Sequence, residues 1–124
     1  MSMRTERVGG EIRKVLADLL TRGDIKDYRL TGIINITDIE VSGDLRHARV
    51  YFSLIGQHDE KSAAAHQEGL NHAAGYIQRQ VARRLRLRRT PLMQFELDGS
   101  FEYAEHIGRL LNALDIPPEE DGRE

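Results

Sequence analysis

The hydrophobic and polar positions in the first half of the chain predict one helix and a hairpin. Apolar residues recur at helical spacing over residues 4–22, and Gly23 is a natural helix stop. The stretch 33–41 is rich in β-branched residues, and 45–54 alternates apolar with polar side chains. Turn chemistry at 42–44 joins the two stretches, which predicts an antiparallel hairpin.

The second half predicts two helices and a third strand. An alanine-rich helix is expected over 63–74, and apolar residues at four-residue spacing give the next helix one apolar face, formed by Ile77, Val81 and Leu85. Thr90-Pro91 is expected to end that second helix, because the residue before proline is pushed out of the helical region. Alternation over 93–97 then predicts a half-buried strand.

Gly75 lies where the first of these two helices gives way to the second. A glycine allows a bend and a close backbone approach there, so we expect a bend at 73–75. Ser100 is expected to cap a last helix, and Pro117-Pro118 to end it. We therefore predict one domain over 1–115 and a disordered acidic tail over 116–124.

Composition narrows the class of protein. The chain has 124 residues, 40% apolar and 31% charged, no cysteine and a net charge of -2. This composition suits one small domain without disulfides. The order of the predicted elements makes it a domain of the α+β class, with a three-stranded sheet covered by helices on one face. No apolar run approaches the length of a membrane span, and the first residues lack a secretory signal, so a cytoplasmic protein without a membrane partner is expected.

The net charge conceals a basic stretch that contains no acid. Its six arginines are Arg79, Arg83, Arg84, Arg86, Arg88 and Arg89. Arg79, Arg83 and Arg86 are expected to form a stripe on the helix, turned away from the apolar face. Such a concentration suggests a polyanion partner, although a solvated helix face or an acidic protein partner explains the charge equally well.

The chain lacks the residue patterns of the common catalytic and metal sites. It has no phosphate-binding loop, dinucleotide fingerprint or zinc signature, and its histidines form no metal-ligand spacing. Asp38 and Glu40 are two residues apart on a predicted strand, which is more typical of a solvated face than of an acid/base pair. We expect no catalytic residue, no metal and no cofactor, which disfavours an RNA-processing enzyme.

A strand–helix–helix–strand unit with a glycine between its helices is the architecture of a K-homology RNA-binding domain, here of type II because a helix comes first. That module usually clamps nucleic-acid backbone on a Gly-x-x-Gly loop. This chain instead has Ala73-Ala74-Gly75 directly before the arginines. We therefore expect RNA to meet Ala73, Gly75 and the six arginines. Second-tier candidates on the first helix and the hairpin are Arg4, Arg7, Arg46 and Arg49.

Several short stretches in this order resemble the bacterial ribosome-binding factor A family. They are 25–30, 39–51, 73–77, 85–88 followed by Pro91, and Phe95 with 98–100. Tyr28 departs from the family's usual proline, which puts the rigidity of that connector in doubt. The family keeps the same Ala-x-Gly.

The resemblance implies a non-enzymatic assembly factor with a K-homology fold. Such proteins bind the free small (30S) ribosomal subunit and its rRNA. They assist late maturation of 16S rRNA including its 5′ end, matter most in the cold, and leave with help from a maturation GTPase. We expect a monomer with this role. The alternative from the residues alone is a protein–protein adaptor whose basic helix face meets an acidic partner.

Overall fold

The structure is a computed structural model that describes residues 3–56 and 59–98. The helix predicted from Ser100 and the tail over 116–124 lie outside the described residues. The elements run in the order α1 (Met3–Arg22), β1 (Ile33–Val41), β2 (His47–Ile55), α2 (Glu60–His72), α3 (Ala74–Leu85) and β3 (Leu92–Leu97). This is the predicted α+β, type II K-homology-like order.

The sheet has the strand order β1-β2-β3, with β1 antiparallel and β3 parallel to the central β2. The antiparallel hairpin is confirmed. The second strand begins at His47 rather than at 45, because Leu45 has a φ of 60° and Arg46 lies between it and the strand. Extended pairing resumes only after that left-handed residue.

Within residues 3–56 and 59–98, all three helices lie on one face of this sheet: α1 packs on β1, while α2 and α3 pack on β3. Alternate residues of β2 point into the core, and Val50 and Phe52 are fully buried there. Their neighbours Arg49 and Tyr51 lie on the outer face with Glu40, which accepts a hydrogen bond from the Tyr51 hydroxyl at 3.2 Å. Helices on a single face are therefore confirmed, and the carboxylates at 38 and 40 pair in register with Tyr51 and Arg49.

A β-bulge between Ile36 and Asp38 keeps the apolar side chains of β1 on the core face. Without it, the residues after Ile36 would point the wrong way, because side chains alternate strictly along a strand. The guanidinium of Arg13 on α1 donates to the Ile36 carbonyl at 2.9 Å. This bond ties α1 to β1 at the bulge.

The outer edge of β3 is capped by amide side chains from α2. Asn71 donates to the Phe95 carbonyl at 3.0 Å and accepts from the Phe95 N–H at 2.7 Å. Gln67 accepts from the Leu97 N–H at 2.9 Å. These bonds satisfy backbone groups that an edge strand otherwise presents to other chains.

Candidate nucleic-acid interface

The α2–α3 joint is centred on Ala73, which ends one helix and begins the next with φ −88° and ψ 3°. Its N–H donates to the carbonyls of Gly69 and Leu70, both at 3.1 Å. The helical hydrogen bonds of α2 therefore end at Ala73. Ile77 then restarts the helical pattern by donating to the Ala73 carbonyl at 3.0 Å. The bend predicted at 73–75 is confirmed.

The interpretation of Gly75 as the residue that permits this bend is wrong. Gly75 is exposed within the first turn of α3 and does not have a positive φ. A Cβ there would lie 3.5 Å from Nη1 of Arg79, an ordinary contact. The glycine that allows close approach is Gly69, where a Cβ would lie 3.1 Å from atoms of Asp27, Arg29 and Leu30.

Helix α3 separates buried from basic residues as predicted over its own length. Ile77 and Val81 are fully buried, while Arg79 and Arg83 are exposed. The helix ends at Leu85 rather than at 90, because Arg86 takes a left-handed conformation with φ 52° and donates its N–H to the Ala82 carbonyl.

The early end of α3 removes Arg86 from the predicted stripe of Arg79, Arg83 and Arg86, and it places Arg88 and Arg89 beyond the helix on which they were expected. The physical reason is Leu87, which packs against the core together with Leu85. Residues two apart point to nearly opposite sides of a helix, so both leucines reach the core only if the helix stops between them. The three arginines stay exposed in the loop that follows.

Arg84 differs from the other five arginines because it bridges helices. Its guanidinium contacts the Asp18 carboxylate of α1 at 2.5 Å, and Arg22 contacts the same carboxylate at 3.2 Å. The hydrogen bond from Arg84 is the main cause that lowers the pKa of Asp18. Arg84 therefore joins α3 to α1, and Asp18 is a partner of Arg84 that sequence reasoning missed. The four-residue spacing of Asp18 and Arg22 signals only the pair between those two residues.

The remaining five arginines form what we call the arginine surface, consisting of Arg79, Arg83, Arg86, Arg88 and Arg89. All are exposed, and within residues 3–56 and 59–98 none of them has an ion pair. A guanidinium without a carboxylate partner keeps its fork free for another anion.

The structure brings one of the second-tier arginines to this surface. Arg4 on α1 lines a cavity of about 300 Å³ together with Arg88 and Arg89. We call it the hairpin-end cavity, because residues 44–45 of the hairpin turn complete its wall. Arg7 is also exposed on α1.

Each of the two hairpin arginines lies beside an acid. Arg49 lies on the outer face of the sheet, where its guanidinium contacts Glu96 at 3.1 Å. Arg46 is exposed in the turn, 3.9 Å from the Asp44 carboxylate. That carboxylate has a lowered pKa, chiefly because it accepts a hydrogen bond from the Ser42 hydroxyl.

Among the described residues, no group of histidines and carboxylates is arranged to hold a metal ion, and no helix is long and apolar enough to cross a membrane. The burial of His66, which is only 1% exposed, was not predicted from the sequence. Its ring nitrogens lie 2.8 Å from the Ser62 carbonyl and 3.0 Å from the Thr31 carbonyl, which ties the connector before β1 to α2.

Fold and site together define a small K-homology-like α+β domain with an arginine surface on its third helix and the loop after it. The sequence model of the family described as ribosome-binding factor A matches residues 4–111. A ribosome-binding factor A from Magnetococcus marinus is 45% identical over all of this chain and 98% of its own length. One from Acetivibrio thermocellus is 43% identical, covering 88% of this chain and 86% of that protein. The chain belongs to the ribosome-binding factor A family.

Solved structures agree with this assignment. The solution structure of a candidate ribosome binding factor A from Thermotoga maritima superposes with a TM-score of 0.65 at 30% identity, covering 77% of this chain and 88% of that one. The crystal structure of ribosome-binding factor A from Thermus thermophilus gives 0.58 at 22% identity, over 75% and 94% of the two chains. A further Thermus thermophilus homology model, fitted into a map of a 30S complex, gives 0.55 at 24% identity, over 71% and 88%. These last two similarities establish the shared fold.

Proposed function

We propose that this protein binds the free small ribosomal subunit through its arginine surface and assists late maturation of 16S rRNA, including its 5′ end. The observation that carries the proposal is membership of the ribosome-binding factor A family, at 45% identity over the whole chain to one relative. The Thermus thermophilus relative fitted into a map of a 30S complex supports the choice of the small subunit as partner.

The arginine surface supplies the chemistry for an rRNA partner. A planar guanidinium makes two parallel, charge-assisted hydrogen bonds to phosphate oxygens. Contacts with phosphates position a protein without reading sequence, so specificity comes from the shape of the folded rRNA. In this proposal, Ala73 and exposed Gly75 at the joint let RNA backbone approach α3 closely beside Arg79.

The finer role follows the family. The protein acts in the cytoplasm as a monomer, without a cofactor or a catalytic residue, and matters most in the cold. A ribosome-maturation GTPase helps it leave the subunit before translation begins. A strain without the protein, grown in the cold, is expected to accumulate small subunits whose 16S rRNA keeps an unprocessed 5′ end. Correct 5′ ends at every temperature would contradict this role.

Co-sedimentation with purified ribosomal particles tests the proposal. The protein is expected to sediment with free small subunits, and not with large subunits or full ribosomes. Binding to all three particles would indicate nonspecific attraction to phosphate. Failure to bind small subunits, with retained binding to an acidic protein, would favour the adaptor alternative.

A further inference from the structure

The hairpin-end cavity is assembled from three separate segments of the chain. Arg4 and Val8 come from α1, Asp44 and Leu45 from the hairpin turn, and residues 87–89 from the loop after α3. Its volume of about 300 Å³ is at the small end of the range for ligand pockets, roughly 300–1,000 Å³. The cavity therefore has room for a ligand of the size of one nucleotide.

The wall of the cavity combines apolar and basic side chains. Val8 belongs to the core, and Leu45 and Leu87 pack partly buried against it, so they give the cavity an apolar floor. The rim carries the exposed guanidinium groups of Arg4, Arg88 and Arg89. Asp44 is the acid on the rim, and its Oδ1 already accepts hydrogen bonds from the Ser42 hydroxyl at 2.6 Å and the Arg46 N–H at 3.0 Å.

Two left-handed residues shape this cavity. Leu45, with φ 60°, lines it, and Arg86, with φ 52°, lies directly before Leu87. Left-handed backbone is unfavourable for residues with a Cβ, and it persists only where the surrounding structure enforces it. Here the left-handed backbone at Leu45 and Arg86 places the side chains of Leu45 and Leu87 together on the apolar floor of the cavity. Strained backbone of this kind is concentrated at binding sites.

We propose that the hairpin-end cavity holds one unpaired rRNA nucleotide, with its base on the apolar floor and its phosphates on the arginines. The inference rests on the proposed rRNA binding and adds a second contact to it. The joint at Ala73 lies at the opposite end of α3, about 18 Å away for a helix of 12 residues. Sequence-specific RNA recognition largely uses unpaired bases that can leave the stack, which is the kind of nucleotide such a cavity accepts.

The test uses fluorescence anisotropy at low salt with three RNA hairpins that share one stem. One carries a single bulged adenosine, one carries an abasic residue at the bulge, and one is fully paired. Burial of one base against the apolar floor removes apolar surface from water, which an abasic residue cannot do, so the intact bulge is expected to bind at least about fivefold more tightly than the abasic one. Equal affinity for the two bulges, or no measurable binding to either, would overturn the proposal.

Variants assign this preference to the cavity. Leu87→Asn is expected to bring the ratio between the two bulged hairpins close to one while affinity for the paired hairpin stays. Arg88→Ala with Arg89→Ala should reduce the ratio also, which keeps the test valid if Leu87→Asn does not fold. Arg83→Ala, outside the cavity, should weaken all three complexes equally and preserve the ratio. An unchanged ratio in a folded cavity variant would refute the assignment, whereas co-sedimentation with small subunits would stand independently.

Discussion

Two regions rich in arginine and other charged groups differ in how the protein uses them. In the connector before β1, Arg29 forks onto Asp27 with two bonds of 2.8 Å and reaches Glu68 at 3.1 Å. On the arginine surface, five guanidinium groups have no ion pair within the described residues. An arginine that is paired within the fold therefore has a structural role, and an arginine without an ion pair is a candidate for binding a partner.

The connector shows what an internally satisfied charge cluster contributes. Asp27 is only 4% exposed at its side chain and also contacts His72 of α2 at 3.2 Å. Hydrogen bonds from Arg29 hold the pKa of Asp27 well below its ordinary value. Tyr28 is exposed, with the Arg29 guanidinium 5.3 Å from its ring centre. The bonds between Arg29 and Asp27 therefore hold the connector on both sides of this exposed residue.

The largest effect that separates the regions is expected from charge reversal on α3. Arg79→Glu with Arg83→Glu should weaken small-subunit binding by roughly 100-fold, since each lost charge-assisted bond costs on the order of tenfold in affinity. Both side chains are exposed, so the melting temperature should hardly change. Filter binding and thermal melting measure the two quantities.

The matched control for this variant is Lys14→Glu with Lys61→Glu. Both lysines are exposed on other helices and have no ion pair within the part of the chain that the structure describes. The control makes the same change in net charge and should retain most of the affinity. Equal losses in both variants would mean that only total charge matters.

Removing an uncharged side chain that hydrogen-bonds to the sheet edge should lower the stability of the protein and leave the affinity of the folded protein for the small subunit unchanged. Asn71→Ala removes both side-chain bonds to Phe95, which is expected to cost about 1–2 kcal/mol in the free energy of unfolding. Denaturant titration measures it, with Asn35→Ala on the outer face of β1 as the control. A loss below that of the control would show that water replaces Asn71 at the strand edge.

Two glycines in neighbouring helices should respond in opposite directions to alanine. Gly69→Ala forces a Cβ within 3.1 Å of the connector and is expected to destabilise by about 1 kcal/mol. Gly75→Ala meets only ordinary contacts and should stabilise α3 by up to about 1 kcal/mol. Thermal melting of the two variants measures both changes. Destabilisation by Gly75→Ala alone would contradict the structure, because it would show that a side chain at position 75 is sterically excluded.

The smallest expected effect is on the pH dependence of stability. Because the folded-state pKa of Asp27 is lowered, its contribution is complete above the ordinary value of 3.8 and is lost as the pH falls below it. Asp27→Asn should therefore be less stable than the natural protein at neutral pH, and the gap should narrow in acid. Denaturant titrations across the pH range measure the gap, and a constant difference would exclude the ion pair as its source.

Periodicity predicted the element order and the buried faces, because each depends on local spacing that the chain displays directly. The bend was predicted from Gly75, and it is found at the predicted place although that glycine does not cause it. It overextended α3, since an intact helical pattern gives no sign that Leu87 must reach the core. It could not foresee Arg84 with Asp18, which lie 66 positions apart. The sequence predicted which arginines could form a basic surface. It could not predict which of them lack an ion pair, because ion pairs between distant residues depend on tertiary contacts.

The salt dependence of small-subunit binding tests the central claim most directly. Binding to phosphates releases counterions, so log affinity should fall steeply with log salt for the natural protein. Arg79→Ala with Arg83→Ala should flatten this slope by about two units, one for each lost phosphate contact, while Lys14→Ala with Lys61→Ala leaves it unchanged. An equal slope for the natural protein and the Arg79/Arg83 variant would contradict the claim that the arginine surface binds rRNA.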